Sequence, residues 1–354
     1  MFLAWREVRR DPGRFSLIIG VVAALAYLAF FLTSLAYGLA SSYRTALDAW
    51  QADGVLLAAD AGQNLQRSRL DADAQQIPEG VQGAPLVSSL TSVELDDGEQ
   101  ADAALFGVDP DGFIAPQAEL GSGLDGSRPR DVVVDERLTR FGVELGDRLR
   151  LTGDDTVYTV VGMVRGQTFQ TAPVVYTVRE AAVAHQEATL GARLDERSAN
   201  AVVFRGEMPA DEERTVLSMD EYIATLPGYT AQIATFALMI GFLIGIAAFV
   251  LGIFVYILTL QKRDVIGVMK AQGVPSGYIG RSIAVQSVLL AAIGCALGLG
   301  AALATGFALA GRVPFSVQPV LLLGILACFA ATIGASSLFS VRAVAKTDPM
   351  RAIR

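Results

Sequence analysis

Four long stretches without a charged residue constrain this chain more than any other feature of its sequence. They cover residues 15–40, 222–261, 282–311 and 313–341, and a single arginine, Arg312, separates the last two. A helix needs about 20 residues to cross the roughly 30 Å hydrocarbon core of a bilayer, so each stretch is long enough. The sequence predicts a polytopic α-helical membrane protein with four transmembrane helices, at 15–40, 229–260, 282–311 and 317–341.

The charged residues fall into two groups that set the orientation of these helices. Residues 1–14, 261–281 and 342–354 together hold 12 lysines and arginines against four acids, whereas residues 41–221 hold 15 arginines against 32 acids. Short basic flanks stay in the cytoplasm, while long acidic segments are translocated. We therefore expect a multi-pass protein of the cell membrane with both termini inside. The basic pieces are then a cytoplasmic amphipathic segment over 1–14, a cytoplasmic loop over 261–281 and a cytoplasmic tail over 342–354.

The acidic segment, 41–228, is long enough to form one large extracytoplasmic domain. It alternates between β-rich and helix-like patterns, which predicts a mixed α/β fold. The chain has two cysteines, Cys295 and Cys328, and both lie in apolar stretches, so no disulfide framework is expected in this domain. We predict strands at 54–59, 86–95, 148–151, 156–164, 174–178 and 201–204, and helices at 135–141 and 179–190.

No enzyme active site is apparent, and we expect no catalytic residue, no metal site and no intrinsic cofactor. The only histidine, His185, lies in a polar helix-like segment and is expected on the surface. None of the three lysines belongs to the G-x-x-x-x-G-K-[ST] motif that cradles phosphates, so any ATP is bound by a partner subunit. A net charge of −8 argues against a nucleic-acid partner.

Two side-chain patterns in the apolar stretches indicate helix faces. Small residues at helical spacing predict close helix packing, at Gly241, Gly245 and Gly252 in the second stretch and at Gly294 and Gly298 in the third. An aromatic face in the first stretch is either lipid-facing bulk or the wall of a flat, lipid-accessible pocket. Its members are Tyr27, Phe30, Phe31, Ser34 and Tyr37.

Several motifs, in order, resemble the FtsX/MacB-type permeases of ABC transporters. They are WREVRR (5–10), FGVDP (106–110) with the run over 131–151, VIGVMKAQG (265–273) and DPMRAIR (348–354). Three further segments are most similar to the haem-exporting members of that family: SLAYGLASSY, LPGYTAQ and FVLGIFVYILTLQKRDVIGVMKAQG. The resemblance implies a membrane-embedded homodimer that works with two copies of a separate ABC ATPase and exports haem.

The resemblance also implies which residues carry these functions. The loop that docks on the ATPase supplies Val265, Gly267, Val268, Met269, Lys270 and Gln272. Haem is flat, apolar and carries two carboxylates, so it is expected to bind between the first two spans at the outer leaflet. Tyr229 in the PGY motif is the favoured iron ligand because a phenolate suits ferric iron. Met219, Glu221 and Tyr222 are other candidate ligands, Arg44 is a candidate partner for a propionate, and the aromatic face of the first span is the candidate wall.

Two other functions stay open at this point. Sister permeases handle lipids, lipoproteins or peptides, and FtsX-like proteins act as ATP-driven transmembrane signal transducers on cell-wall hydrolases. A substrate bound between the first two spans would favour efflux, whereas a protein partner on the external domain would favour signalling.

Overall fold

A computed structural model of the chain describes residues 12–94, 100–209, 214–261 and 263–345. The predictions made for residues 1–11, Lys262 and 346–354 lie outside these ranges. The chain divides into two compact units. One, which we call the helical unit, contains residues up to 39 and from 233 onward. The other, the sheet unit, contains residues 40–232.

Long apolar runs without internal proline favour long helices, and this is what the structure has. The described helices are α1 (Pro12–Ser42), α2 (Thr45–Ala49), α3 (Arg179–Leu190), α4 (Met219–Thr225), α5 (Tyr229–Gln261), α6 (Arg263–Ala271), α7 (Ser276–Ala308) and α8 (Pro319–Ala345). In the part of the chain that the structure describes, three helical segments are long and apolar enough to cross a membrane: Phe15–Ser42, Tyr229–Phe254 and Gly277–Ala308. The apolar part of α8, Pro319–Ala335, is shorter.

The core of the helical unit forms where α1, α5, α7 and α8 bury small and aromatic side chains against one another. Ala26 and Phe30 of α1 are fully buried, and the side chains of Leu290 of α7 and Phe329 of α8 are each only 2% exposed. Because lipid is as apolar as these side chains, close packing rather than the hydrophobic effect holds such helices together.

The sheet unit is a mixed α/β domain, as predicted. Its described strands are β1 (Gly54–Ala58), β2 (Gln82–Glu94), β3 (Gln100–Val108), β4 (Leu120–Gly121), β5 (Asp131–Asp135), β6 (Arg148–Leu151), β7 (Val157–Val164), β8 (Thr168–Phe169), β9 (Ala172–Val178), β10 (Ala201–Arg205) and β11 (Arg214–Ser218). They form one sheet in the order β11-β1-β10-β2-β3-β9-β5-β7-β4, with β6 beside β2 and β7, and β8 beside β9. The pairs β3–β9 and β5–β7 are parallel, and the other pairs are antiparallel.

An aromatic group fills the centre of the sheet unit. Phe106 of β3 contacts Trp50, Phe169 and Tyr176, with ring centroids 5.2–5.8 Å apart. These four side chains belong to a core that also includes Tyr222 of α4. The core therefore packs two segments against the middle of the sheet: the one that follows α1 and the one that precedes α5.

The six predicted strands and the helix at 179–190 are confirmed, with ends that differ by up to four residues. The predicted helix at 135–141 is a 3₁₀ helix over Glu136–Phe141. The sequence analysis missed β3, β5 and β11, and also the two-residue strands β4 and β8. The expectation for His185 is wrong: the side chain is only 1% exposed, because that face of α3 packs on the sheet.

Candidate substrate site and coupling helix

Tyr43, Arg44 and Tyr229 come together in the sheet unit, next to the end of α1 and the beginning of α5. The rings of Tyr43 and Tyr229 meet edge to face, with centroids 5.7 Å apart and planes at 60°. An Arg44 Nη atom lies 2.8 Å from an Asp48 carboxylate oxygen, and the other lies 3.5 Å from Asp220. Two aromatic rings and a tethered cation thus share one site.

The electrostatics keep this cation permanently charged. The hydrogen bond that Arg44 Nε donates to the Asp48 carboxylate raises the pKa of Arg44 above its usual range, although partial burial opposes the rise, and the nearby Tyr229 side chain adds a smaller rise. The Arg44 side chain is 30% exposed, so it can still meet an anionic group from outside. The sequence analysis singled out Arg44 and Tyr229, and the structure brings them together. It missed Tyr43, Asp48 and Asp220, although the i,i+4 spacing of Arg44 and Asp48 was readable.

The other three candidate ligands lie on α4 and are differently placed. Met219 and Tyr222 are buried, at 9% and 1% exposure. Burial raises the pKa of Tyr222, which favours a neutral phenol over the phenolate that ferric iron prefers. Glu221 is exposed, but its carboxylate accepts hydrogen bonds from the Ser218 backbone and hydroxyl in a capping box. Those bonds lower the pKa of Glu221 and hold it at the start of α4.

A hairpin between β8 and β9, residues 168–171, is bonded to the residues around the end of α1. We call it the strap. Gln170 and Thr171 have positive φ values of 50° and 73°, a conformation that is rare for a β-branched residue. Several hydrogen bonds connect the strap to residues 42–45. They include Thr168 Oγ1 to Ser42 O at 2.7 Å, Thr168 N to Thr45 Oγ1 at 2.9 Å, a bond between the Thr45 and Thr168 hydroxyls at 2.8 Å, and the bonds from Gln170 N to Tyr43 O and from Thr171 N to Ser42 O, both at 3.1 Å.

The aromatic face of α1 points partly into the helical unit. Tyr27 stacks on Phe31, and Phe31 stacks on Phe315, each with centroids 5.7 Å apart. Phe30 and Ser34 are buried at 0% and 3% exposure, so in this structure they neither face lipid nor line an open pocket. Tyr37, like Tyr27 and Phe31, is half-buried.

The small-residue stripes behave differently on the two helices. A Cβ on Gly294 would lie 2.6 Å from a Val22 side-chain carbon, and one on Gly298 would lie 2.6 Å from the Ala23 carbonyl oxygen. α7 therefore packs closely on α1. A Cβ on Gly241 or Gly245 of α5 meets no described atom within 4 Å, and Gly252 is half-buried. Among the described residues, no atom of another helix lies within 4 Å of a Cβ placed on Gly241 or Gly245.

The segment predicted to dock on an ATPase forms the amphipathic helix α6. Ile266 and Gly267 are buried, and Ile266 packs on Ile279 of α7. Val265 and Val268 are 61% and 49% exposed. The remaining residues of the predicted coupling set are Met269 and Lys270, which are half-buried, and Gln272, which is exposed. α6 is thus anchored on one side and presents valines on the other.

The buried histidine belongs to a separate polar group. His185 Nδ1 lies 3.7 Å from Asp154, whose carboxylate accepts a hydrogen bond from the Tyr158 hydroxyl at 2.9 Å. Burial lowers the pKa of His185, so the imidazole is neutral near pH 7. Among the described residues, no group of three or more His, Cys, Asp or Glu side chains forms a metal site.

Comparison with known families decides what kind of protein this is. The MacB-like periplasmic core domain family matches residues 15–216, and the FtsX-like permease C-terminal family matches residues 237–349. The first match alone spans more than half of the chain. The chain belongs to the MacB/FtsX-like permease family. A MacB/FtsX-like permease is a multi-pass membrane subunit of an ABC transporter and not an enzyme.

Relatives of this MacB/FtsX-like permease cover its full length. Proteins described as the hemin transport system permease HrtB in Staphylococcus epidermidis and Staphylococcus haemolyticus are each 24% identical over 100% of this chain and 99% of their own. Among solved structures, the periplasmic region of MacB from Actinobacillus actinomycetemcomitans is 15% identical with a TM-score of 0.34, over 50% of this chain and 93% of that one.

Proposed function

We propose that this permease is the membrane subunit of an ABC-type efflux pump that extrudes haem from the bilayer. The observation that carries the proposal is the cluster in which the ring of Tyr229 contacts the ring of Tyr43, the chain neighbour of Arg44, with centroids 5.7 Å apart. Haem offers a ferric iron that a tyrosine oxygen can ligate and propionates that pair with a guanidinium. The hemin transport permeases that match the whole chain support the same cargo.

The proposal includes an arrangement in the membrane. The four apolar helices cross the bilayer with both termini in the cytoplasm, and the sheet unit lies outside, as the charge distribution of the sequence favours. The permease works as a homodimer with two copies of a separate ATPase, which binds and hydrolyses the ATP. Gly241 and Gly245 give each α5 a face that another helix can approach closely.

The exposed valines of α6 support its role as the docking element for the ATPase. ATP-driven movement of the ATPase would be passed through α6 to α7, because Ile266 packs on Ile279. Haem then leaves from the outer leaflet and needs no polar path through the membrane centre.

Replacing Tyr229 by Phe tests the site directly, because the change keeps the ring and removes only the oxygen. We expect Tyr229→Phe to shift or weaken the Soret band of the purified permease with added haemin and to reduce haemin resistance of cells. Expression and basal ATPase activity of the complex should be unaffected. Tyr256→Phe, an exposed tyrosine on the same helix, is the matched control and should behave as wild type.

Two outcomes would contradict the proposal at different levels. An unchanged spectrum and unchanged resistance in Tyr229→Phe would remove Tyr229 as the ligand. A wild-type permease that binds no haemin would remove haem as the cargo and return the question to lipids and peptides.

A further inference from the structure

A cavity of about 430 Å³ lies beside the end of β1 in the sheet unit. Four parts of the chain line it: residues 58–60, the loop over 69–74, the loop over 194–198, and Arg214 at the start of β11. None of its lining residues belongs to the Tyr43–Arg44–Tyr229 cluster. Sites for small ligands usually measure about 300–1,000 Å³, so this cavity is large enough to hold one.

Part of the cavity lining is apolar. Ala74 and Leu194 line it and are half-buried, so each still presents some surface to the cavity. Ala74 packs against a small core of the sheet unit that includes Ala58 and Leu70, which also line the cavity. A ligand with an apolar body therefore gains free energy when it leaves water for this site.

The half-buried Arg69 gives the cavity a cation with unused hydrogen-bond donors. Its Nη1 atom donates to the backbone carbonyls of Gln66 at 3.0 Å and Ser68 at 2.8 Å. Among the described residues, no atom accepts a hydrogen bond from Nε or Nη2 of Arg69, and no carboxylate pairs with the guanidinium. Burial lowers the pKa of Arg69 because no neighbouring carboxylate opposes it. A partly buried charge without a partner is unfavourable, and an anionic ligand would supply that partner.

A ligand can reach the two unused nitrogens of Arg69. Both keep accessible surface, in contrast to the Nε1 atom of Trp50, which is enclosed without a partner. Because Nη1 is occupied by two carbonyls, the open edge of the guanidinium is the one formed by Nε and Nη2. That edge matches the two oxygens of a carboxylate, which accept a pair of parallel hydrogen bonds.

The backbone on both sides of Arg69 is held in place. Leu70 and Ala199 exchange two backbone hydrogen bonds, of 2.8 and 3.0 Å. The Ser68 hydroxyl accepts a hydrogen bond from the backbone N–H of Ala58 at 2.9 Å. A donor that is fixed before the ligand arrives loses less conformational entropy on binding, so the site is preorganised for an anion.

The other charged residues of the lining limit the charge of the ligand. Asp60, Asp71 and Asp195 are exposed and line the cavity together with Arg69 and Arg214, so acids outnumber arginines by three to two. A phosphate dianion would be repelled by these acids more strongly than a carboxylate, which carries one negative charge. The described residues contain no group of His, Cys, Asp and Glu side chains suited to a metal ion. The lining therefore favours a monocarboxylate.

We propose that this cavity binds a small monocarboxylate with an apolar body, and that Nε and Nη2 of Arg69 donate to its two carboxylate oxygens. The proposal goes beyond haem export and does not depend on which cargo the permease carries. Two sources share this chemistry: a free organic acid and the C-terminal end of a peptide.

The test uses two acids, each with its neutral amide as control. Isovalerate represents a free organic acid and N-acetylalanine a peptide end, and the controls are isovaleramide and N-acetylalaninamide. Each compound is titrated into the purified full-length permease at constant ionic strength, and binding is followed by saturation-transfer NMR of the compound. We expect at least one acid to bind about tenfold or more tightly than its amide, because only the acid makes charge-assisted bonds to Arg69. The acid with the higher affinity identifies the source.

Two variants should change the affinity in opposite directions. Arg69→Gln should weaken acid binding about tenfold or more and leave amide binding unchanged. Arg67→Gln, at an exposed arginine outside the cavity, is the matched control and should bind the acid as wild type does. Asp60→Asn removes a negative charge from the lining and should strengthen acid binding about twofold, a gain that misfolding cannot produce.

Equal binding of acids and amides by the wild type would overturn the proposal without any variant. Wild-type acid affinity in a folded Arg69→Gln, checked by thermal unfolding, would overturn it as well. If Arg69→Gln does not fold, Asp60→Asn decides, and acid binding that is unchanged or weaker in this variant would contradict the proposal. Haemin binding by the same proteins is measured separately, so the proposed function can fail while this proposal stands, and the reverse.

Discussion

Asp135 is a buried carboxyl group that is harder to ionise than an ordinary aspartate. Its side chain is 0% exposed at the end of β5, and burial raises its pKa to about 6. Its two oxygens accept hydrogen bonds from the backbone N–H groups of Arg137 and Gln167. Gln167 directly precedes the strap, and its side chain accepts a hydrogen bond from the Tyr176 hydroxyl. Asp135 therefore fixes the position of Gln167, the residue before the strap, although burial of its carboxylate is unfavourable.

Replacing Asp135 by Asn should change how the stability of the permease depends on pH. The pKa of Asp135 in the folded state lies above the unfolded value of 3.8, so the folded state favours the protonated carboxyl group. The stability that this preference contributes is fully present below about pH 4 and is lost as the pH rises through about 6. The shift of about two pKa units corresponds to about 3 kcal/mol. Between about pH 5 and about pH 7.5 we expect Asp135→Asn to gain about 1.4 kcal/mol of stability relative to wild type, because the rest of the loss in wild type already lies below pH 5.

The measurement is thermal unfolding of both full-length proteins in detergent at the two pH values. Other titrating groups, including His185, are common to both proteins and cancel in the difference. A difference between the two proteins that does not vary with pH would show that Asp135 is ionised normally in the folded state.

At the scale of elements, the contact between α7 and α1 depends on the absence of a side chain at Gly298. A Cβ there would lie 2.6 Å from the Ala23 carbonyl oxygen and 2.7 Å from the Ala26 Cβ, so the helices would have to separate. We expect Gly298→Ala to lower the free energy of unfolding by roughly 1–3 kcal/mol, the usual cost of overpacking. Thermal unfolding in detergent measures this.

Gly300, on the same helix, provides the matched control. A Cβ at Gly300 meets no described atom within 4 Å, and alanine favours a helix more than glycine does. Gly300→Ala should therefore be neutral or slightly stabilising. Equal destabilisation by the two substitutions would mean that a glycine-specific backbone effect, and not the approach of α1, is responsible.

The elements that the sequence predicted well are those with clear periodicity. The bounds of β6 and α3 match the prediction because their burial alternates or follows one helix face. β3 was missed because its burial does not alternate: six of the seven residues from 102 to 108 are buried. These residues also include Ala and Gly. α3 was found, but its buried side was not recognised, because His185 and Gln186 are polar residues that the sheet covers.

The candidate site was only half predictable for a similar reason. Arg44 and Tyr229 stand out next to apolar stretches, whereas the contact between them requires residues 185 positions apart to meet. Tertiary packing decides this contact, and a single sequence carries little information about it.

At the scale of the whole molecule, the surface of α6 decides whether the permease can be driven by another subunit. Val268 is 49% exposed, so a charge there should be tolerated by the fold but not by an apolar docking surface. We expect Val268→Asp to abolish co-purification of the ATPase, or to leave ATP hydrolysis without haemin efflux. Val268→Thr keeps the shape without the charge and should retain both. Normal efflux by Val268→Asp would make α6 a simple connector.

The strap has a consequence for how such permeases can diverge. Two of its hydrogen bonds to residues 42–45 join one backbone group to another, at Gln170 to Tyr43 and at Thr171 to Ser42. Main-chain groups are present whatever the side chain, so these positions can exchange residues over long evolutionary times without losing the attachment. A search for sequence motifs would pass over this contact, and only the superposition of structures from distant relatives would reveal it. The backbone hydrogen bonds between the strap and residues 42 and 43 can thus be kept while the side chains at these positions change.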